Sequence, residues 1–183
     1  MKNIFAFLIS ITAVSCGTNN TDNKERYVNE KEIAVRIIDS LEKVLLKNAD
    51  APIDRQAGET MVNLYADFAK KFPDEKKAPD YLFKAAEVSG AFGDYKHAIE
   101  FLNSICEKYS THDKVPDALF LQGFYYQDKI QDLNKAKVCY DKLIINYPNH
   151  HYTNDAEALI KFFGKTDEEI INEFKEKEKR GKS

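Results

Sequence analysis

Asn146-Tyr147-Pro148-Asn149 closes a helix, and the same phrase stands earlier as Lys71-Phe72-Pro73-Asp74 and Lys108-Tyr109-Ser110-Thr111, spaced by 37 and then 38 residues. Proline lacks an N–H and disfavours helix in the residue before it, so Phe72-Pro73 and Tyr147-Pro148 are stop signals. A period of roughly 20 to 50 residues marks supersecondary units that cannot bury an apolar face alone and must stack on their neighbours. The product of such stacking is an extended surface suited to binding.

Working outward from these stops, apolar spacing of three and four predicts helices throughout. The first runs from Glu30 to Lys47, with Ile33, Ile37, Leu41, Val44 and Leu45 expected on its inner face. Asp54 caps the next, which reaches Lys71 with Met61, Leu64, Tyr65 and Phe68 inward. Pro79 and Pro116 suit first-turn positions of helices ending near Phe92 and Lys129. Each is followed by a partner, Tyr95 to Tyr109 and Leu133 to Tyr147. His151 to Phe163 forms another helix, and Thr166 with Glu169 is a capping box opening a terminal one. The expected fold class is all-α, a solenoid of antiparallel helix pairs. Seven glycines and no tryptophan in 183 residues fit it.

The N-terminus carries a different signal. Lys2 is followed by the apolar run Ile4 to Ile11, too short to span a bilayer of ~30 Å as a helix, which suits a signal peptide. Ala13-Val14-Ser15-Cys16 resembles a bacterial lipobox, in which the cysteine receives diacylglycerol and becomes the first residue of the mature chain. An ordinary secretory signal with an incidental cysteine is the alternative. The expected organisation is residues 1–15 signal peptide, 16–27 flexible tether with lipidated Cys16, 28–165 repeat domain, and 166–183 capping helix with charged tail. Without residues 1–15 the chain holds 26 basic and 30 acidic side chains, a balance of −4. There is no basic stripe, glycine-rich phosphate loop or arginine cluster, so nucleic acid is not an expected partner.

The third unit supplies Leu119, Gly123 and Tyr126, then Ala136, Tyr140, Leu143 and Pro148. The second gives Leu82, Ala85 or Ala86, then Ala98, Leu102 and Ile105. These positions resemble the tetratricopeptide repeat, over residues 54 to 163. With the long units and the lipobox they are similar to tetratricopeptide-repeat lipoproteins of the outer membrane, among them those of the β-barrel assembly machinery and the Tol/Pal region. The resemblance implies a right-handed superhelix and a non-catalytic, membrane-anchored adaptor in the bacterial envelope, on the outer membrane facing the periplasm. It implies as partners another envelope protein or peptide segment, and the bilayer through acylated Cys16. Ala98, Leu102, Gly123, Tyr126, Ala136 and Tyr140 would pack one helix on the next, small residues allowing approach to about 8 Å.

First helices of such repeats line the concave groove, which makes Phe83, Phe120, Phe124 and Tyr125 candidate partner anchors, with core packing the alternative. His112 and His150 fall 38 residues apart, with His151 adjacent, and are taken as solvated turn residues rather than ligands, so no metal and no cofactor is expected. Asp113, Asp117, Asp128 and Asp132 are read as caps and turn residues. Cys106 and Cys139 occupy positions too far apart for a disulfide and are read as buried free thiols. No nucleophile with a base and no acid/base pair stands out, so no enzymatic activity is expected. An envelope enzyme or solute-binding subunit would need a deep cavity with convergent ionisable groups.

Overall fold

The computed structural model describes residues 20–47 and 54–180, and all regular structure among them is helical. In order these are α1 (Asn20–Lys47), α2 (Arg55–Lys71), α3 (Ala78–Ala91), α4 (Tyr95–Lys108), α5 (Lys114–Phe124), α6 (Leu133–Asn146), α7 (Thr153–Lys161) and α8 (Asp167–Arg180). Each of α2 to α6 packs on the helix before and after it, α7 packs on α6, and α3 also meets α5, giving a one-directional stack of antiparallel helices. The expected signal peptide, Cys16 and the turn around Pro52 lie outside the described residues.

The recurring stop phrase is a recurring piece of geometry. Phe72, Tyr109 and Tyr147 take the same C-cap conformation, with φ of −127°, −124° and −134°. Each N–H closes the last helical turn, on Phe68, Ile105 and Leu143 carbonyls. Each carbonyl then accepts from the residue three further on, Glu75, His112 and His150. The intervening position needs no N–H, which is why proline is tolerated at 73 and 148.

The change from 37 to 38 residues has a location. Leu82 and Leu119, or Ala86 and Gly123, are 37 apart, whereas Ala98 and Ala136, or Leu102 and Tyr140, are 38 apart. The extra residue therefore enters between Gly123 and Asp132, and there the helix widens into a π-helix, Tyr125–Ile130. The segment closes at Gln131, in the left-handed region at φ 61°, where the equivalent residue of the preceding unit is Gly93 at φ 83°. A single inserted residue is the usual origin of such a bulge.

Two apolar clusters fill the interior. One holds Leu82, Ala98, Leu102, Ile105, Leu119 and Tyr140 at its centre, and the other gathers Ile38, Met61, Tyr65, Phe68 and Tyr81. Phe101 packs against both and joins them. Here α1 departs from expectation in two ways. It begins at Asn20, inside the segment expected to be tether, and is held there by Tyr27 against the Phe72 ring at 5.1 Å. Its inner face is also a different one. Ile38 is 1% exposed, flanked by Ala34, Val35, Leu41 and Leu45, whereas Ile33, Ile37 and Val44 stay exposed. Two apolar stripes one residue out of phase share this helix, and contact with α2 and α3 selects the one centred on Ile38. The outer stripe and Leu64 of α2 line a shallow apolar groove instead.

Candidate interaction face

The first helices of successive pairs, α1, α3 and α5, are linked side by side through polar and aromatic contacts. Lys84 on α3 places Nζ 2.8 Å from Glu42 Oε1 on α1, and the Tyr65 hydroxyl donates to the same oxygen at 2.7 Å. Lys114 on α5 sits 5.0 Å over the Phe83 ring of α3 and 2.9 Å from Asp117 Oδ2. His150, in the turn before α7, brings Nε2 within 3.3 Å of Asp117 Oδ1. Charges of alternating sign thus run across the layers. Beside Lys84 and Glu42 lies a cavity of about 250 Å³, its apolar walls supplied by Leu45, Met61, Tyr65 and Val88.

The electrostatics follow from the contacts. Burial works against the Glu42 carboxylate, but hydrogen bonds from Lys84 and Tyr65 outweigh it and hold its pKa below the ordinary glutamate value. Although its side chain stays exposed, partial desolvation pushes the Glu87 pKa upward, opposed by Lys114 and Lys84. The hydrogen bond to Asp117 raises the Lys114 pKa.

The four aromatic candidates part company. Tyr125 is 6% exposed, and its hydroxyl occupies the space over Gly90, where a Cβ would lie 2.0 Å from the oxygen. It is a core residue joining α5 to α3, not an anchor for a partner. Phe120 is half-buried and stacks on Tyr152 at 4.2 Å with the rings 5° from parallel, which engages it with the next turn. Phe83 is half-buried beneath Lys114. Phe124 alone of the four is exposed, at 38%, with Lys129 5.9 Å from its ring centre.

Among the packing residues, Ala98, Leu102, Ala136 and Tyr140 are wholly buried, and the Tyr140 ring lies directly over Gly123. Tyr126 is half-buried and packs against the larger cluster, while Tyr125, beside it in the π-helix, is the more deeply buried of the two.

Asp54, Asp94 and Asp132 cap α2, α4 and α6, and Thr166 with Glu169 forms the capping box of α8. Asp117 is not a turn residue: it lies within α5 with its side chain only 16% exposed. His112 and His150 are equivalent turn residues, Nδ1 of each accepting the N–H two positions on, from Lys114 and Tyr152. Cys106 and Cys139 are unbridged, and burial pushes both thiols up to about 11, which leaves them poorly nucleophilic at neutral pH. Glu42, Lys84 and Lys114 escaped the sequence reading because single charges on helices carry no periodic signal; for His150, the 38-residue register was the available clue.

No described helix is long and apolar enough to cross a membrane. No curated protein matches the chain. A family profile described as tetratricopeptide repeat matches residues 117–150, which run from the first turn of α5 to the turn before α7. That span holds Gly123, Ala136 and Tyr140, the residues through which α5 and α6 pack, so the chain contains a tetratricopeptide repeat within an all-α stack of like pairs.

Proposed function

We propose that this chain is a scaffold that holds another protein against the face of its first helices while Cys16 tethers it to a bacterial envelope membrane. The observation that carries the reading is the tetratricopeptide repeat at residues 117–150 embedded in a continuous stack. Such repeats mediate protein–protein contact, and the face offers what a bound segment needs: an apolar cavity beside Glu42 and Lys84, and the exposed Phe124 ring. The apolar run Ile4 to Ile11 before Ala13-Val14-Ser15-Cys16 supports lipidation and placement at the outer membrane facing the periplasm. Two or three acyl chains at about 0.8 kcal/mol per buried CH₂ would hold the protein there. The length of the units, together with the lipobox, supports a narrower reading as an accessory lipoprotein of the β-barrel assembly machinery.

Two measurements test this. Cells expressing the chain are fed labelled palmitate, and label should enter the wild type and vanish in Cys16→Ala. A photoreactive amino acid in place of Glu87 or Phe124 should capture a partner that the same group in place of Lys142, exposed on α6, does not. Capture from all three positions alike, or from none, would defeat the scaffold reading. Identification of the captured protein as a barrel-inserting subunit would support the narrower one.

A further inference from the structure

We propose that Asp117, His150 and His151 form a binding site for a first-row divalent transition-metal cation, with zinc the ion best matched to the donors. One ligand atom from each of the three lies within 4.8 Å of the others. The residues come from two places, α5 and the turn between α6 and α7, so the site ties the first helix of the third repeat to the turn that leads into the next. An imidazole pair with one carboxylate suits zinc, cobalt or nickel and leaves a fourth position open to water.

The geometry is specific at its best-defined edge. Bonds of 2.0–2.2 Å in a tetrahedral site place neighbouring ligand atoms ~3.4 Å apart. His150 Nε2 and Asp117 Oδ1 are 3.3 Å apart. That oxygen is buried and makes no hydrogen bond. A buried carboxylate oxygen beside an imidazole and without a hydrogen bond is a group that a cation would satisfy. The other oxygen is held by Lys114 at 2.9 Å, the kind of outer contact that fixes a ligating carboxylate.

The histidines are also fixed in place. The His150 N–H bonds the Tyr147 carbonyl at 3.0 Å, and the His151 ring lies 4.0 Å from that of Tyr152, itself stacked on Phe120. Ligation through Nε2 moves the ring proton to Nδ1, and the contact from the Tyr152 N–H, already long at 3.4 Å, is given up. The positive charge of Lys114 opposes the ion, which makes the site weaker than a closed four-ligand zinc site.

The test is calorimetric titration of the untagged chain with zinc chloride, repeated with cobalt chloride while visible absorption is followed. One saturable equivalent is expected, with cobalt bands of low-coordinate intensity. Asp117→Asn and His151→Ala should each weaken binding at least about tenfold, the loss that even outer-shell changes produce. His112→Ala, at the equivalent turn but outside the cluster, should leave affinity unchanged. His151 is exposed, so His151→Ala gives a folded variant even if Asp117→Asn does not. No saturable binding, or binding undiminished in His151→Ala, overturns the proposal.

Discussion

Gly123 and Tyr140 show how a single residue sets the spacing of two helices. A Cβ at Gly123 would lie 2.3 Å from the Tyr140 ring, which is wholly buried. The equivalent places in the preceding unit hold Ala86 and Leu102, where a smaller partner leaves space for a methyl group. Gly123→Ala should therefore destabilise the protein by about 1–3 kcal/mol, the usual cost of overpacking, measured as a lower urea midpoint with unchanged slope. A second residue-scale prediction concerns Glu42. Its pKa is lowered in the folded state, so its contribution is complete above the ordinary carboxylate range and fades as pH falls through the folded value. Glu42→Gln should cost about 1 kcal/mol at pH 7, allowing for the solvent reaching Lys84. The difference from wild type should shrink as pH falls below the ordinary carboxylate range, and a difference that stays constant down to the onset of acid unfolding would contradict the assignment. The small residues were legible in the sequence because their spacing repeats. Glu42 was not, because its partners Tyr65 and Lys84 lie 23 and 42 residues away.

An element can absorb an insertion without losing its place in the stack, and α5 does so by widening into a π-helix. The cost is borne at Gln131, whose left-handed conformation is unfavourable for a residue with a Cβ. Replacing Gln131 with glycine relieves that strain, and after the added freedom of the unfolded chain a net gain of about 0.5–1 kcal/mol is expected in denaturant titration. The reverse change, Gly93→Gln in the preceding unit, should cost a comparable amount. Equal effects of opposite sign at these two sites would establish that the turns are interchangeable. Helix α1 carries the complementary lesson. Ile33, Ile37 and Val44 form one stripe and Ala34, Ile38, Leu41 and Leu45 another, and the sequence presents both with comparable apolar content. Selection falls to the surface offered by Tyr65, Phe68 and Tyr81.

Across the whole molecule the two apolar clusters are distributed unevenly along the stack. Helices α3 and α4 contribute to the larger cluster, with α3 and Phe101 of α4 also touching the smaller one. No described side chain of α8 enters either; Ile171 is exposed and the Lys165–Glu173 ion pair links the helix to the preceding turn. Hydrogen exchange followed by mass spectrometry should show the slowest amides in α3 and α4 and the fastest in α8. Protection of α8 equal to that of α4 would mean it is an integral cover for the final pair. The sequence by itself determined the helices, their stops, the period and the small residues between layers, because capping, proline chemistry and helical spacing act within a few residues of one chain segment. Tertiary structure alone decided which stripe of α1 turns inward, that Tyr125 rather than Tyr126 is buried, and that Asp117 meets His150 and His151. Those outcomes depend on how packed helices rotate against one another and on groups 33 or 34 positions apart reaching the same point in space.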